Sequence, residues 1–275
     1  MDWSRPPAVA GMFYPDLEGS LRCEVEELLE GAAREMGGSD EGRGQAWETA
    51  KRPKALIAPH AGYVYSGPVA ASVYVRIAPL RGSVHRVVLL GPAHRYPLRG
   101  LAACSAHAFE TPLGMVPVDQ EGVRAALELH QVLLLDQAHE GEHSLEVHLP
   151  FLQVALGDFT LVPLVVGETP LEEVAEVLKV LWGGPETLIV VSSDLSHYLS
   201  YTRANELDAR TARSIRDLRP EEIRHDQACG RMPMGGLLLR AREEGLSVEC
   251  LDLRNSGDTA GPRNRVVGYG SFLFS

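Results

Sequence analysis

Three apolar runs of this chain each reach a turn and then deliver a histidine. "ALIAPH" ends on His60, "VVLLGPAH" on His94 and "LIVVSSDLSH" on His197. Neutral imidazole is a metal ligand, and near neutral pH it is also a proton carrier. Held at the end of a rigid strand, it is well placed for either task. Ligands of α/β sheets collect outside the carboxyl ends of the strands, so three histidines with this placement can converge on one point. Taken singly, each reads first as a hydrogen-bonded loop residue. Gly62 and Gly91 beside them are expected to let backbone approach closely.

Other segments add chemistry. Asp194, in "SSDLSH", can orient an imidazole, ligate a metal or cap a helix, and Ser192 and Ser193 can cap or donate hydrogen bonds. Cys229, in "ACGRMPMGG", stands two residues before Arg231. A nearby guanidinium is expected to lower the thiol pKa and favour thiolate, which is both a nucleophile and a soft metal ligand. A lone cysteine also serves as a small buried hydrophobe. Met232 and Met234 can offer thioethers to a soft metal, but read first as gap fillers. "EHSLEVHLP" carries Glu142, His143, Glu146 and His148. On a helix Glu142 and Glu146 share a face, and the group can line a pocket or solvate a helix start. "HEGEH" (139–143) matches the H-E-x-x-H zinc-hydrolase pattern, which needs His139 and His143 on one continuous helix. Gly141 opposes that helix and Ser144 looks like an N-cap, so a loop leading into a helix is expected there instead.

The elements that must position these groups follow from the apolar pattern. Four runs rich in β-branched residues, 54–60, 85–94, 160–167 and 186–197, end in Gly, Pro, Ser or Asp and read as buried strands. Segments 18–36, 67–80, 143–156 and 170–182 carry helical spacing. "GLSVECLDLRN" and "RVVGYGSFLF" read as two further strands, and the Gly-rich, polar 37–50 reads as a surface loop. Strands alternating with helices predict an α/β fold with a mixed or largely parallel central sheet. With no repeat and no linker, 1–275 is expected to be one domain.

The charge balance, 26 basic against 37 acidic residues, gives a net charge of −11 and argues against general nucleic-acid binding. The four cysteines, Cys23, Cys104, Cys229 and Cys250, are scattered without a CxxC pair, as suits a reducing cytoplasm. The first residues lack the pattern of a signal peptide, and no apolar stretch is long enough to predict a membrane span.

Seven motifs, in order, carry a resemblance: "RPPAVAGMFYP", "APHAGYVYSGPVAA", "LLGPAH", "EHSLEVHLPFL", "VPLVVG", "VVSSDLSHY" and "CGRMPMGGLL". Together the sequence resembles the Memo family, whose prokaryotic branch is called AmmeMemoRadiSam system protein B. That family resembles the class III extradiol ring-cleavage dioxygenases in fold. The resemblance implies a mixed sheet flanked by helices, with a metal-type pocket at one edge. It implies His60, His94 and Cys229 as metal ligands and His197, with Asp194, as the acid/base group. Glu142 and His143 are expected nearby. Where the dioxygenases place a glutamate, this chain has Cys229, which tilts the site toward copper or zinc while leaving iron open. A redox or oxygenase-related role is one implication. A non-catalytic pocket for a peptide, an anion or a partner is the alternative, and zinc hydrolysis through His139 and His143 is a third reading that rests on the "HEGEH" pattern alone. The branch name implies a functional link to a radical-SAM protein. "RPPAVAGMFYP" and "MGGLLL" are expected to be structural.

Overall fold

The computed structural model describes residues 3–37 and 51–275. Its centre is a mixed sheet of nine strands. The parallel core comprises β2 (Ala55–Ala58), β3 (Arg86–Pro92), β8 (Thr160–Val166) and β9 (Thr187–Ser192), in the order β2-β9-β3-β8. Every residue of β2 and β9 is buried, which is why these segments read as unbroken apolar runs without alternation. On one side β12 (Val266–Phe274) runs antiparallel to β2, and both β10 (His197–Leu199) and β11 (Val248–Asn255) pair with β12. On the other side β4 (Leu101–Ala103) runs antiparallel to β8 and carries β7 (Val132–Leu134). A separate three-stranded sheet joins β1 (Ser4–Arg5), β5 (Ala108–Thr111) and β6 (Gly114–Pro117).

Helices cover the sheet. They are α1 (Glu18–Glu35), α2 (Tyr63–Ile77), α3 (Gln120–Leu127), α4 (Leu149–Leu156), α5 (Leu171–Leu181), α6 (Tyr201–Arg216) and α7 (Arg231–Glu243). The expected single α/β unit with a mixed sheet is therefore what the chain forms. The anticipated loop 37–50 lies, but for Gly37, outside the described residues. Among the described residues no helix is long and apolar enough to cross a membrane.

Two local expectations need correction. The helix expected over 143–156 begins only after a short 3-10 turn, Glu146–His148, and Ser144 caps nothing: its hydroxyl donates to the Pro92 carbonyl at 2.9 Å. Glu142 and Glu146 share no helix face, because Glu142 lies in the preceding turn. The predicted helix 67–80 starts earlier, at Tyr63, so that Gly67 receives Leu28 of α1 on its bare backbone.

One buried acid on α6 makes stability depend on pH. Asp208 accepts the Ser196 amide and hydroxyl, each at 3.0 Å. Burial outweighs these hydrogen bonds and pushes the carboxyl up to about 6. A folded-state pKa above the unfolded value means that the ionised form costs stability. The contribution is complete below about pH 4 and is lost as pH rises through about 6, a loss of about 3 kcal/mol. Asp208→Asn is expected to remove that loss, checked by urea unfolding at pH 4 and pH 7. The same pH slope in both proteins would contradict it.

Candidate metal centre

The site forms where three core strands end. His60 lies two residues past β2, His94 two past β3 and Asp194 two past β9. Parallel neighbours deliver these ends side by side. Two glycines let the loops close in. A Cβ at Gly91 would meet Ser144 Oγ at 2.8 Å, and one at Gly230 would meet the Ser192 carbonyl at 2.5 Å. Gly62 proves different from expectation: a Cβ there has ordinary contacts at 3.6 Å, so its place is not forced by space.

Hydrogen bonds fix the tautomers of His60 and His94. Ser192 Oγ donates to the Ser144 carbonyl at 2.6 Å, so its oxygen must accept from His60 Nδ1–H at 2.5 Å. His60 is thereby left with a bare Nε2, which lies 3.5 Å from Cys229 Sγ. His94 Nδ1 lies 2.9 Å from Glu142 Oε1. Burial pushes the Glu142 carboxyl up, but the His94 imidazole and the amides of His94 and Ser144 outweigh it and bring it down to about 2. An ionised carboxylate only accepts, so Nδ1 donates and Nε2 of His94 is free. This is the pattern of ligand histidines, whose second nitrogen is held by an acceptor. Ligand atoms of His60, His94 and Cys229 all lie within 4.8 Å of one another.

Glu142 is better understood as a brace than as a ligand. Its oxygens accept the amides of His94 at 2.6 Å, His143 at 3.0 Å and Ser144 at 2.9 Å, besides the His94 ring. It also belongs to a second donor cluster, His94–Glu142–His143, but its lone pairs there are largely spent. The His143 ring stacks on His94 at 4.8 Å and meets His60 edge-on at 5.5 Å. Its Nδ1 makes no hydrogen bond. Burial, against the pull of Glu142, lowers the His143 pKa. Burial and the neighbouring imidazoles of His94 and His143 hold His60 well below its ordinary value, so that it stays neutral. If Glu142 orients His94 for metal, Glu142→Gln should weaken metal affinity about 10- to 100-fold, read by chelator competition. Unchanged affinity would show that His94 needs no such brace.

Asp194 and His197 share the cleft but not the donor cluster. Asp194 Oδ1 accepts the His60 amide at 2.8 Å, and its own amide points at Cys229 Sγ at 3.3 Å. Burial raises its carboxyl pKa against the pull of His197 and the His60 amide. It caps nothing in the helical sense; it ties the end of β9 to the end of β2. His197 Nδ1 lies 2.8 Å from the Leu195 carbonyl, which can only accept, so the neutral ring keeps its lone pair on Nε2. The next residue, Tyr198, has φ +60°, a left-handed conformation that a bulky residue adopts only under constraint.

The cleft holds about 650 Å³ and is walled by His60, His94, His143, Asp194 and His197. Around its mouth stand Met12, Val64, Tyr65 and Tyr198, exposed by 72, 61, 40 and 62%. Arg95 and Arg265 complete it. These rim residues carried no local signal, because they come from five separate segments. Met12 and Phe13 also correct the expectation that "RPPAVAGMFYP" is wholly structural, since both line the cleft. Arg5, Val9 and Tyr14 of that segment are buried.

One further expectation fails. Arg231 does not activate the thiol: burial, followed by the Asp194 charge, pushes the Cys229 pKa up. As expected, 139–143 forms no zinc-hydrolase helix. The stretch is a turn, with Gly141 at φ +68°. His139 is buried, donates from Nε2 to the Ala102 carbonyl at 3.0 Å and joins no donor cluster among the described residues. Met234 is wholly buried in the core, while Met232 is only partly so.

Comparison with known proteins finds likeness over nearly the whole chain. The family model described as Memo-like protein matches residues 5–273. A MEMO1 family protein of Ignicoccus hospitalis is 36% identical, covering 98% of both chains. One from Saccharolobus solfataricus is 35% identical, covering 96% of this chain and 97% of its own. The crystal structure of an uncharacterized protein from Escherichia coli K12 shares the fold, with a TM-score of 0.55, 14% identity, and coverage of 81% of this chain and 99% of that one.

Proposed function

The chain belongs to the Memo-like protein family, and from that premise we propose that it holds one transition-metal ion, iron or copper, through His60, His94 and Cys229, beside a cleft that presents an organic ligand for redox or oxygenase-related chemistry. One observation carries the reading: two imidazoles with Nδ1 already engaged and one thiol place their ligand atoms within 4.8 Å of one another. A neutral, oriented Nε2 and a sulfur suit a borderline or soft cation, and zinc remains compatible with the same donors.

When bound, the ion supplies Lewis-acid or electron-transfer chemistry. The protein's own residues do the rest. His197, with its proton fixed on Nδ1, offers Nε2 as a base to a ligand in the cleft. Asp194 keeps His60 and the Cys229 loop in register with it. Met12, Val64 and Tyr65 give the ligand an apolar bed, and Arg95 and Arg265 make no ion pair with any described residue, which suits a ligand bearing negative charge. The cytoplasm would keep Cys229 reduced. The likeness of the family to class III extradiol dioxygenases supports oxygen-related chemistry, and the prokaryotic branch name supports a functional link to a radical-SAM protein.

A second reading rests on the same cleft mouth. Four exposed large apolar residues around one opening also suit a peptide held without turnover.

Metal analysis of untagged protein reconstituted with Fe(II) or Cu(I) tests the centre. About one ion per chain is expected, lost in His60→Ala. Less than about 0.2 ion per chain in the wild type, or full occupancy in His60→Ala, would overturn it.

A further inference from the structure

The three proposed ligands do not face one space. His60 lines the main cleft and Cys229 does not. Cys229 instead lines a second cavity of about 710 Å³, bounded also by Tyr96, Arg99, Glu168, His225 and Met232. His94 alone belongs to both walls. The ligand cluster is therefore a partition, with an imidazole on one side and sulfur on the other. The sulfur side borders a cavity whose walls lack His197, Asp194 and the apolar rim residues.

The second cavity offers three kinds of donor. His225 is exposed, Met232 on the first turn of α7 and Cys229 in the turn before it are both half-buried, and Cys229 Sγ lies 3.5 Å from His60 Nε2. Imidazole, thioether and thiolate form a series of increasing softness. Met232 is only partly buried against the core, whereas Met234 is fully buried. The main cleft offers no sulfur beyond Met12, at its outer rim.

From this geometry we infer that the second cavity is the loading path for a soft, thiophilic cation, which passes His225 and Met232 to reach Cys229 without entering the ligand cleft. The inference rests on the metal centre proposed above. It gives the two cavities separate tasks: the ion enters from the sulfur side, and the organic ligand meets it from the imidazole side. No bond to carbon and no electron moves along the path; one ion exchanges one set of donors for the next.

The test is the rate at which metal-free protein takes Cu(I) from its bicinchoninate complex, followed by loss of the complex's colour. Met232→Leu, which conserves volume, and His225→Ala are each expected to slow transfer at least about fivefold while leaving the equilibrium affinity within about twofold. Val64→Trp, which narrows the main cleft, should leave the rate unchanged. Transfer slowed by Val64→Trp, or unaffected by both Met232→Leu and His225→Ala, would overturn the path. If the wild type takes no Cu(I), the metal centre itself fails, and the path is then read without metal. Iodoacetamide labelling of Cys229, followed by mass spectrometry, should slow in Glu168→Trp and not in Val64→Trp. The opposite order would refute the second cavity as the way in.

Discussion

Glu146→Ala is expected to destabilise the protein by about 3–5 kcal/mol, the cost typical of removing one partner from a buried ion pair. Glu146 and Arg5 are both buried, and Arg5 Nη1 donates to Glu146 Oε2. The carboxylate also accepts the amides of Ala8 at 2.7 Å and Val9 at 2.9 Å and the Tyr14 hydroxyl at 2.6 Å. Alanine would strand all of these in the interior. Arg5 in turn donates to the carbonyls of His139 and Glu142, so the same pair anchors the turn that carries Glu142 and His143. The loss should therefore be felt at the site as well as in the fold. Urea unfolding of Glu146→Ala measures it, and a cost below about 1 kcal/mol would show that water or a rearranged partner satisfies Arg5. The double exchange Arg5→Met with Glu146→Leu should recover more than half of the loss, because a well-packed apolar pair removes the stranded charge.

What the sequence disclosed follows from what burial does to composition. Strands β2, β3, β8 and β9 are buried on both faces, so they had to be written as continuous β-branched runs, and their ends had to carry the turn residues that precede His60, His94 and Asp194. Helix α6 gave no such signal, because its inner face is polar. Asp208, Thr211 and Ser214 are buried there beside Ala204, Ala212 and Ile215, and the apolar period is broken. Helix α7 hid for another reason. Pro233, Gly235 and Gly236 look like breakers, yet the glycines admit Leu171 and Val174 of α5, which would lie 2.6 and 2.4 Å from an added Cβ. At the site, single residues with an unusual topological place were legible. Their partners were not. That Glu142 grips three amides, that Ser192 sets the His60 tautomer and that Cys229 opens to a different cavity from His60 all depend on segments meeting in space.

Cys229→Glu should change which metal the centre prefers more than whether it holds one. Sulfur is the soft donor of the set, and a carboxylate in its place leaves only nitrogen and hard oxygen. Cu(I) affinity is expected to fall at least about a hundredfold, while Fe(II) affinity stays within about tenfold of the wild type. Competition with chelators of known affinity for each ion measures both. The longer carboxylate has room, because Cys229 borders a cavity rather than closed packing. His60 and His94 should keep their orientation, since Ser192 and Glu142 hold their Nδ1 atoms independently of position 229. If both affinities fell together, the position would be fixed by shape and not by donor softness. If neither moved, Cys229 would stand outside the coordination sphere, and the sulfur facing the second cavity would need a different task. Oxygen-dependent turnover of a catechol by the iron-loaded Glu variant, absent in the wild type, would tie the softness of that one donor to the chemistry the cleft supports.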